Sequence, residues 1–263
     1  MNILGFKSLS IVQKIALAGL FTALAAILNK VLAVNYIAAV PFVRISFGGP
    51  AVIIFASILL GPLFGALVGG LSDILGYFVF DMSSFPYAPW ITLTYVLLGF
   101  VSYFIFYLAK KIKSEKAMAI TTYTTMSIIF IISSLLIIFS DKLHLFSQEY
   151  ELNLTFKIAL PLGMFALLAV IILFNYFFKK YFKKKNSDSE LPFSIYQISF
   201  SLFILEIFVM VLFGSLMKSI LFGFELFPLI VLFQAMTMFF NIPFTTFIIS
   251  NIMLITKRYY RTH

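Results

Sequence analysis

Long apolar stretches separated by short polar ones make up most of the chain. The apolar runs cover residues 11–28, 45–80, 91–109, 117–139, 154–178, 193–222 and 226–255. They are continuous and do not alternate with polar residues, which is typical of lipid-facing helices and not of barrel strands. About 20 apolar residues cross about 30 Å of hydrocarbon. The pattern therefore predicts an all-α, polytopic membrane helix bundle without a soluble domain.

The run 45–80 is too long for one span, since a single helix of that length would measure about 54 Å. Gly61-Pro62 lies near its middle. Glycine ends a helix readily and proline begins the next. We therefore expect a tight helical hairpin here, which brings the number of transmembrane helices to about eight.

Composition supports this class and excludes others. The chain is 62% hydrophobic and 11% charged, with a mean hydropathy of +1.07, so it has too little polar surface for a soluble globule. It has no cysteine, which removes disulfides, thiol catalysis and thiolate metal sites. Its two histidines, His144 and His263, lie in a polar loop and at the end, so a histidine-based metal site or catalytic base is not expected.

The net charge of +9 comes from short basic clusters beside the apolar runs, a distribution that favours cytoplasmic membrane flanks over nucleic-acid binding. With eight spans and the N-terminus inside, 14 of the 19 Lys and Arg residues fall inside and 5 outside. This bias obeys the positive-inside rule. It predicts a multi-pass cell-membrane protein with both termini in the cytoplasm.

The first run, 11–28, also fits a signal peptide, with a basic start and a short apolar core. A spaced stripe of small residues and the lack of a convincing cleavage site favour a retained helix. Such stripes permit close helix packing. The residues are Ala18, Gly19, Thr22, Ala23 and Ala26.

Arg44 and Asp73 are costly inside so apolar a region unless they face a cavity or each other. The topology places both in the outer half of the membrane. Asp73 and Tyr77 continue a row of glycines spaced every four residues from Gly61, a spacing that suits a close approach by another backbone. One interpretation is a packing seam with a simple Arg44–Asp73 pair. The other is an outward cavity in which both residues bind a polar ligand.

Pro86, Pro89 and the lone Trp90 lie at the outer end of the fourth segment. Trp90 has two possible roles. It is either an anchor at the membrane interface or a ring that stacks on a flat heterocycle. Thr92 and Thr94 fit ligand donors as well as side chains that bond their own backbone.

Four short segments together carry a family resemblance: Arg-Ile-Ser-Phe-Gly at 44–48, Gly-Pro-Leu-Phe-Gly-Ala-Leu-Val-Gly at 61–69, Asp-Ile-Leu-Gly-Tyr at 73–77 and Pro-Trp-Ile-Thr-Leu at 89–93. They resemble the substrate-binding S components of energy-coupling factor (ECF) vitamin transporters, and the folate branch is most similar. The resemblance implies a subunit that captures a vitamin outside the cell. It implies Arg44, Asp73, Tyr77, Trp90, Thr92 and Gln234 as substrate-binding residues.

The resemblance also implies partners: a transmembrane coupling subunit and two ATPases that use the ATP. The chain has no phosphate-binding loop, so we expect neither catalysis nor a cofactor of its own. In that family a small-residue pattern on the first helix docks the coupling subunit, and the stripe from Ala18 to Ala26 is the candidate here.

Three departures from the family stand out. The family has about six spans, so residues 117–189 are interpreted as an inserted helical hairpin within one membrane domain, with 1–116 and 190–263 as its core. Gln234 and Gly214 stand where the family has an arginine and an asparagine. The missing cation weakens the case for a glutamate-bearing folate and leaves other small heterocycles open.

Two further functions remain open at this point. A stand-alone, proton-coupled secondary transporter would use Asp73 or Glu206, an acid near the middle of the seventh segment. Against it, the chain shows no inverted repeat. A membrane-embedded enzyme would need a cluster of reactive side chains, and the chain offers scattered single ones.

Overall fold

The computed structural model of the chain describes residues 4, 9–30, 34–35, 44–45, 48–80, 86–139, 142–145, 148–151, 154–185 and 192–262. They form a bundle of apolar helices with two short antiparallel strand pairs, which confirms the predicted all-α membrane architecture. The helices are α1 (Ile11–Lys30), α2 (Gly49–Leu60), α3 (Pro62–Leu75), α4 (Pro89–Lys111), α5 (Glu115–Phe139), α6 (Leu154–Lys185), α7 (Ile195–Leu205), α8 (Gly214–Phe222) and α9 (Phe227–Thr262). The strands are β1 (Val34–Asn35), β2 (Arg44–Ile45), β3 (Lys142–Leu145) and β4 (Gln148–Glu151).

Two π-helical stretches extend these helices. Gly76–Phe80 continues α3, and Glu206–Phe213 joins α7 to α8. Among the described residues, six helical units are long and apolar enough to cross a membrane. They are Ile11–Lys30, Pro62–Phe80, Pro89–Lys111, Glu115–Phe139, Ile195–Phe222 and Phe224–Thr256. The prediction of about eight spans thus corresponds to these six, to the short helix α2 and to the apolar stretch Lys157–Leu173 within α6.

One of the shorter helices, α2, lies at the centre of the bundle. Its 12 residues extend about 18 Å, which is less than a bilayer core. Nearly every residue of α2 is buried, and it packs against α1, α3, α4 and α9. A helix that is apolar on all sides is expected in the interior, so α2 acts as a core element and not as a lipid-facing span.

The turn between α2 and α3 has the predicted structure. Gly61 adopts φ +104°, a conformation that suits glycine, and Pro62 is the first residue of α3. The Gly61 N–H donates to the Ser57 carbonyl at 2.9 Å, and the Gly61 carbonyl accepts from the Gly65 N–H at 2.9 Å. The two helix ends therefore meet without an unpaired backbone group at Gly61.

The glycine row of α3 packs on α4, as its spacing predicted. A Cβ atom on Gly69 would collide with the Tyr95 carbonyl group, and one on Gly99 would collide with the Gly65 carbonyl group. We call this contact the glycine seam. Because backbone touches backbone there, the seam fixes the register of α3 against α4.

Helices α5 and α6 form the predicted hairpin of residues 117–189. They pack on each other and on α7 and α9. The contact contains several methionines and two phenylalanines. Its buried members are Met126, Met164, Ile171, Phe203, Met238, Phe239 and Ile242. We call this the methionine cluster. The interpretation of the hairpin as an insertion stays a prediction.

Candidate functional site

Asp73 continues the glycine seam by one turn and meets the start of α4. Asp73 is buried, and as a whole residue it is only 6% exposed. The Thr92 hydroxyl donates a hydrogen bond to Asp73 Oδ2 at 2.7 Å. The register set by Gly69 and Tyr95 therefore brings the α3 carboxylate against the first turn of α4.

Tyr87 extends this contact into a chain of hydrogen bonds. Its hydroxyl lies 2.8 Å from the Thr92 Oγ1 atom. Threonine has a single hydroxyl proton, and Thr92 gives it to Asp73, so Tyr87 is the donor to Thr92. The chain Tyr87–Thr92–Asp73 therefore has one direction, with the carboxylate as its final acceptor.

Lys30, the last residue of α1, supplies a cation to this carboxylate. Its Nζ atom lies 3.9 Å from Asp73 Oδ1, and both side chains are 8% exposed. The lysine stem crosses Gly76, where a Cβ atom would lie 2.7 Å from Lys30 Cγ. Asp73 therefore receives partners from the ends of two other helices, α1 and α4.

The sequence predicts Arg44 as the cation beside Asp73. The backbone of Arg44 pairs with Asn35 between β1 and β2, but its side chain lies outside the described residues. The predicted Arg44–Asp73 contact therefore stays a prediction. Lys30 is the cation that the structure places at Asp73.

Three aromatic rings adjoin the charged pair. The ring centroids of Tyr77 and Tyr87 are 5.1 Å apart, and Phe78 lies 5.2 Å from Tyr77 and 5.3 Å from Tyr87. Lys30 Nζ is 5.8 Å from the Tyr77 centroid. The structure thus brings the predicted site residues Asp73, Tyr77 and Thr92 together and combines ionic, hydrogen-bonding and aromatic groups at one end of the bundle.

The remaining predicted residues lie around this cluster or apart from it. Trp90 is in the first turn of α4, and its indole nitrogen is buried with no hydrogen-bond partner among the described residues. Thr94 is buried against Gly214, where a Cβ atom would lie 3.3 Å from its methyl group. Gln234 is buried on α9, where the Thr237 hydroxyl donates to its backbone carbonyl at 2.8 Å.

The structure divides the small-residue stripe of α1 between two faces. Gly19 and Ala23 are exposed, and a Cβ atom on Gly19 would meet nothing within 4 Å. Thr22 and Ala26 are buried in the bundle, and Ala18 is half-buried.

Glu206 forms a second, separate buried acidic site. It begins the π-helical stretch, is 6% exposed and hydrogen-bonds the side chain of Asn241 on α9. Within the described residues, no group of three or more His, Cys, Asp or Glu side chains is arranged to hold a metal ion.

Two members of the cluster, Lys30 and Tyr87, were not predicted from the sequence. Lys30 ends an apolar run, as a membrane-flanking lysine does, and the α1–α3 contact cannot be seen in the sequence. Tyr87 lies between two prolines in Pro86-Tyr-Ala-Pro89, and that rigid stretch next to Thr92 was the available signal.

Comparison with known proteins indicates the family of the chain. A sequence model of the family described as "ECF-type riboflavin transporter, S component" matches residues 9–183. No match was found among curated proteins or solved structures. The matched range holds Lys30, Asp73, Tyr87 and Thr92, and it also runs through α5 and most of α6. Since it covers well over half of the chain, the chain belongs to the ECF-type riboflavin transporter S component family.

Proposed function

We propose that this chain captures a flat, vitamin-like heterocycle on the outer side of the membrane and delivers it to an ECF coupling subunit and two ATPases. The observation that carries the proposal is the buried Asp73 carboxylate, held by Thr92 and Lys30 beside the rings of Tyr77 and Tyr87. Such a group offers an acceptor, a cation and aromatic surface to one ligand.

A flavin is the first candidate for the ligand. The family model is named for riboflavin transport. An isoalloxazine ring has an imide edge with one N–H between two carbonyl oxygens. Asp73 can accept from that N–H and Lys30 can donate to a neighbouring oxygen, while Tyr77 and Tyr87 contact the ring.

Folate, to which the sequence resemblance pointed, is the second candidate. Its glutamate tail carries two carboxylates that need cations. At the described cluster Lys30 already faces Asp73, and Gln234 stands where the resemblance implies an arginine. Unless Arg44 supplies that charge, the site suits an uncharged ring edge better than a dianionic tail.

The positions of residues on the helices support the proposed side of capture and the proposed docking face. Lys30, Asp73 and Thr92 lie at the end of the bundle opposite the Gly61 turn, and the basic clusters put that turn inside. On α1, Gly19 and Ala23 form the exposed part of the small-residue stripe and are the proposed contact for the coupling subunit.

Titration of the purified chain with riboflavin and with folate tests the proposal, with quenching of flavin fluorescence as one readout. We expect Asp73→Asn to weaken riboflavin binding at least about tenfold, because the amide cannot serve as a charged acceptor. Glu225→Gln removes an exposed carboxylate outside the cluster. This control variant should bind riboflavin with the affinity of the wild type. If Asp73→Asn binds riboflavin as tightly as the wild type does, Asp73 is not part of the binding site. If the wild type binds folate more tightly than riboflavin, the proposed order of the two ligands is wrong.

A second function, proton-coupled transport without partners, is favoured by the buried Glu206–Asn241 contact alone. Vesicles that contain only this chain, with an imposed proton gradient, separate the two functions. We expect uptake only when the coupling subunit, the ATPases and ATP are present. Gradient-driven uptake without them contradicts the proposed function.

A further inference from the structure

A cavity of about 500 Å³ lies at the other end of the bundle, away from the Asp73 cluster. It is bounded by the residues before α1, the first turn of α1, the α2–α3 turn and the middle of α4. Its lining includes Lys14, Ile58, Leu60, Leu63, Phe64 and Tyr103. The cavity thus has an apolar wall with one cation, Lys14, and one phenol, Tyr103.

The backbone of Lys14 lies in the capped first turn of α1. Ser10 and Gln13 form a reciprocal cap: the Ser10 N–H donates to Gln13 Oε1 at 2.9 Å, and the Gln13 N–H donates to Ser10 Oγ at 3.3 Å. The Lys14 N–H then donates to the Ser10 carbonyl at 3.0 Å. Among the described side chains, no carboxylate forms an ion pair with Lys14.

The face of α4 that borders the cavity continues as an aromatic and basic strip towards the helix end. Tyr103, Tyr107 and Lys111 are spaced by four residues and share one face. Lys111 Nζ lies 4.4 Å from the Tyr107 ring centroid. Lys14 on α1 therefore lines the cavity, and Lys111 lies two turns beyond Tyr103 on the same face of α4.

We propose that this cavity binds an anionic phospholipid, with its phosphate group at Lys14 and part of an acyl chain along Ile58, Leu60 and Phe64. The apolar wall of the cavity suits an acyl chain, and Lys14 suits a phosphate group. Basic pockets between transmembrane helices on the cytoplasmic side suit acidic lipid headgroups. The site is separate from substrate capture and does not depend on the proposed function.

Native mass spectrometry of the full chain, released from a bilayer of equal parts phosphatidylglycerol and phosphatidylcholine, tests this. We expect wild-type protein to retain one phosphatidylglycerol in preference to phosphatidylcholine. Lys14→Gln should lower that preference about fivefold, which is the effect of one lysine near a lipid surface. Lys113→Gln is the matched control, since it removes an equal charge from an exposed residue outside the cavity.

A second pair of variants tests the apolar half of the site. Leu63 lines the mouth and is 71% exposed, so Leu63→Trp narrows the cavity with little risk to folding. Leu67→Trp, one turn further along α3 and 55% exposed, lies outside the cavity and serves as the control. We expect Leu63→Trp to reduce lipid retention and Leu67→Trp to leave it unchanged.

Three results would overturn the proposal. The first is equal retention of the two lipids by wild-type protein. The second is an equal loss in Lys14→Gln and Lys113→Gln, which would indicate bulk charge and not a site. The third is that the coupling subunit displaces all bound lipid and also protects Lys14 from amine labelling. That result would show that the cavity is a protein-docking surface.

Discussion

The two halves of the bundle hold their helices together by different means. At the glycine seam, α3 and α4 touch through backbone atoms at Gly65, Gly69 and Gly99. At the methionine cluster, α5, α6, α7 and α9 touch through long side chains such as Met126, Met164 and Met238. A backbone contact has no freedom to repack, whereas methionine adapts to irregular gaps.

The acids of the two halves differ in the same way. Asp73 lies on the seam and is contacted from two other helices, by Thr92 and Lys30. Glu206 lies near the methionine cluster and hydrogen-bonds Asn241 within a π-helical stretch. Rigid packing thus surrounds Asp73, whose partners come from α1 and α4. Adaptable packing surrounds Glu206, which interacts with Asn241 and with the charge of Lys218. The variants below test this difference, from the largest expected effect to the smallest.

Gly69→Ala should have the largest effect on stability. The added Cβ would collide with the Tyr95 carbonyl, and backbone cannot move aside as a side chain can. We expect a loss of about 3 kcal/mol in unfolding free energy, the upper part of the usual range for overpacking. Titration with SDS measures it. Gly163→Ala is the control, because nothing lies within 4 Å of its added Cβ, and it should stabilise α6 by up to about 1 kcal/mol. Equal changes in unfolding free energy in Gly69→Ala and Gly163→Ala would contradict a close backbone contact at the glycine seam.

Thr92→Val should have the next largest effect. The variant keeps the shape of the side chain but removes the donor to Asp73 and the acceptor for Tyr87. A hydrogen bond to a charged group contributes about 2 kcal/mol, so we expect a loss of that size in the same titration. Thr124→Val, at an exposed position of α5, controls for the loss of a hydroxyl. If Thr92→Val has the unfolding free energy of the wild type, the hydrogen bonds between Thr92, Asp73 and Tyr87 do not stabilise the fold.

Asn241→Leu should lower the unfolding free energy by about 1 to 2 kcal/mol, because it removes the hydrogen-bond partner of the buried Glu206. The double variant with Glu206→Leu removes both polar groups, which is expected to restore much of the loss. If the loss of unfolding free energy in the double variant equals the sum of the losses in the two single variants, the two side chains do not contact each other directly.

Met238→Leu should have the smallest effect, although Met238 is 0% exposed. The exchange nearly conserves volume, and the surrounding methionines can repack. We expect a change below about 1 kcal/mol in the same SDS titration. Val68→Met supplies the contrast, since Val68 is equally buried but lies on α3 between the glycines of the seam. A Met238→Leu variant as unstable as Val68→Met would show that the methionine cluster is as rigid as the seam.

The sequence was informative where a local pattern has one structural solution. Gly61-Pro62 predicted the hairpin turn, and glycines spaced by four residues predicted a close helix contact. The short core helix α2 was harder to anticipate, because a buried helix and a membrane span are equally apolar. The π-helical stretch from Glu206 leaves no compositional mark, since its residues are as apolar as those of the α-helices beside it.

The candidate site was predicted in part, for a related reason. Asp73, Tyr77 and Thr92 were identified from their own residue types and spacing. Lys30 was not, because its role depends on how α1 crosses α3, and many distant contacts set that crossing. A lysine at a helix end has the same sequence context whether it meets solvent or a carboxylate, so only the three-dimensional arrangement separates the two.

The groove that Gly76 leaves for the Lys30 stem has a consequence for the charge at Asp73. With the lysine seated there, its ammonium group offsets the charge of the Asp73 carboxylate. A larger residue at position 76 would displace the stem and leave that carboxylate without this cation. A residue that has no charge and no side chain thus sets the charge balance at this end of the bundle.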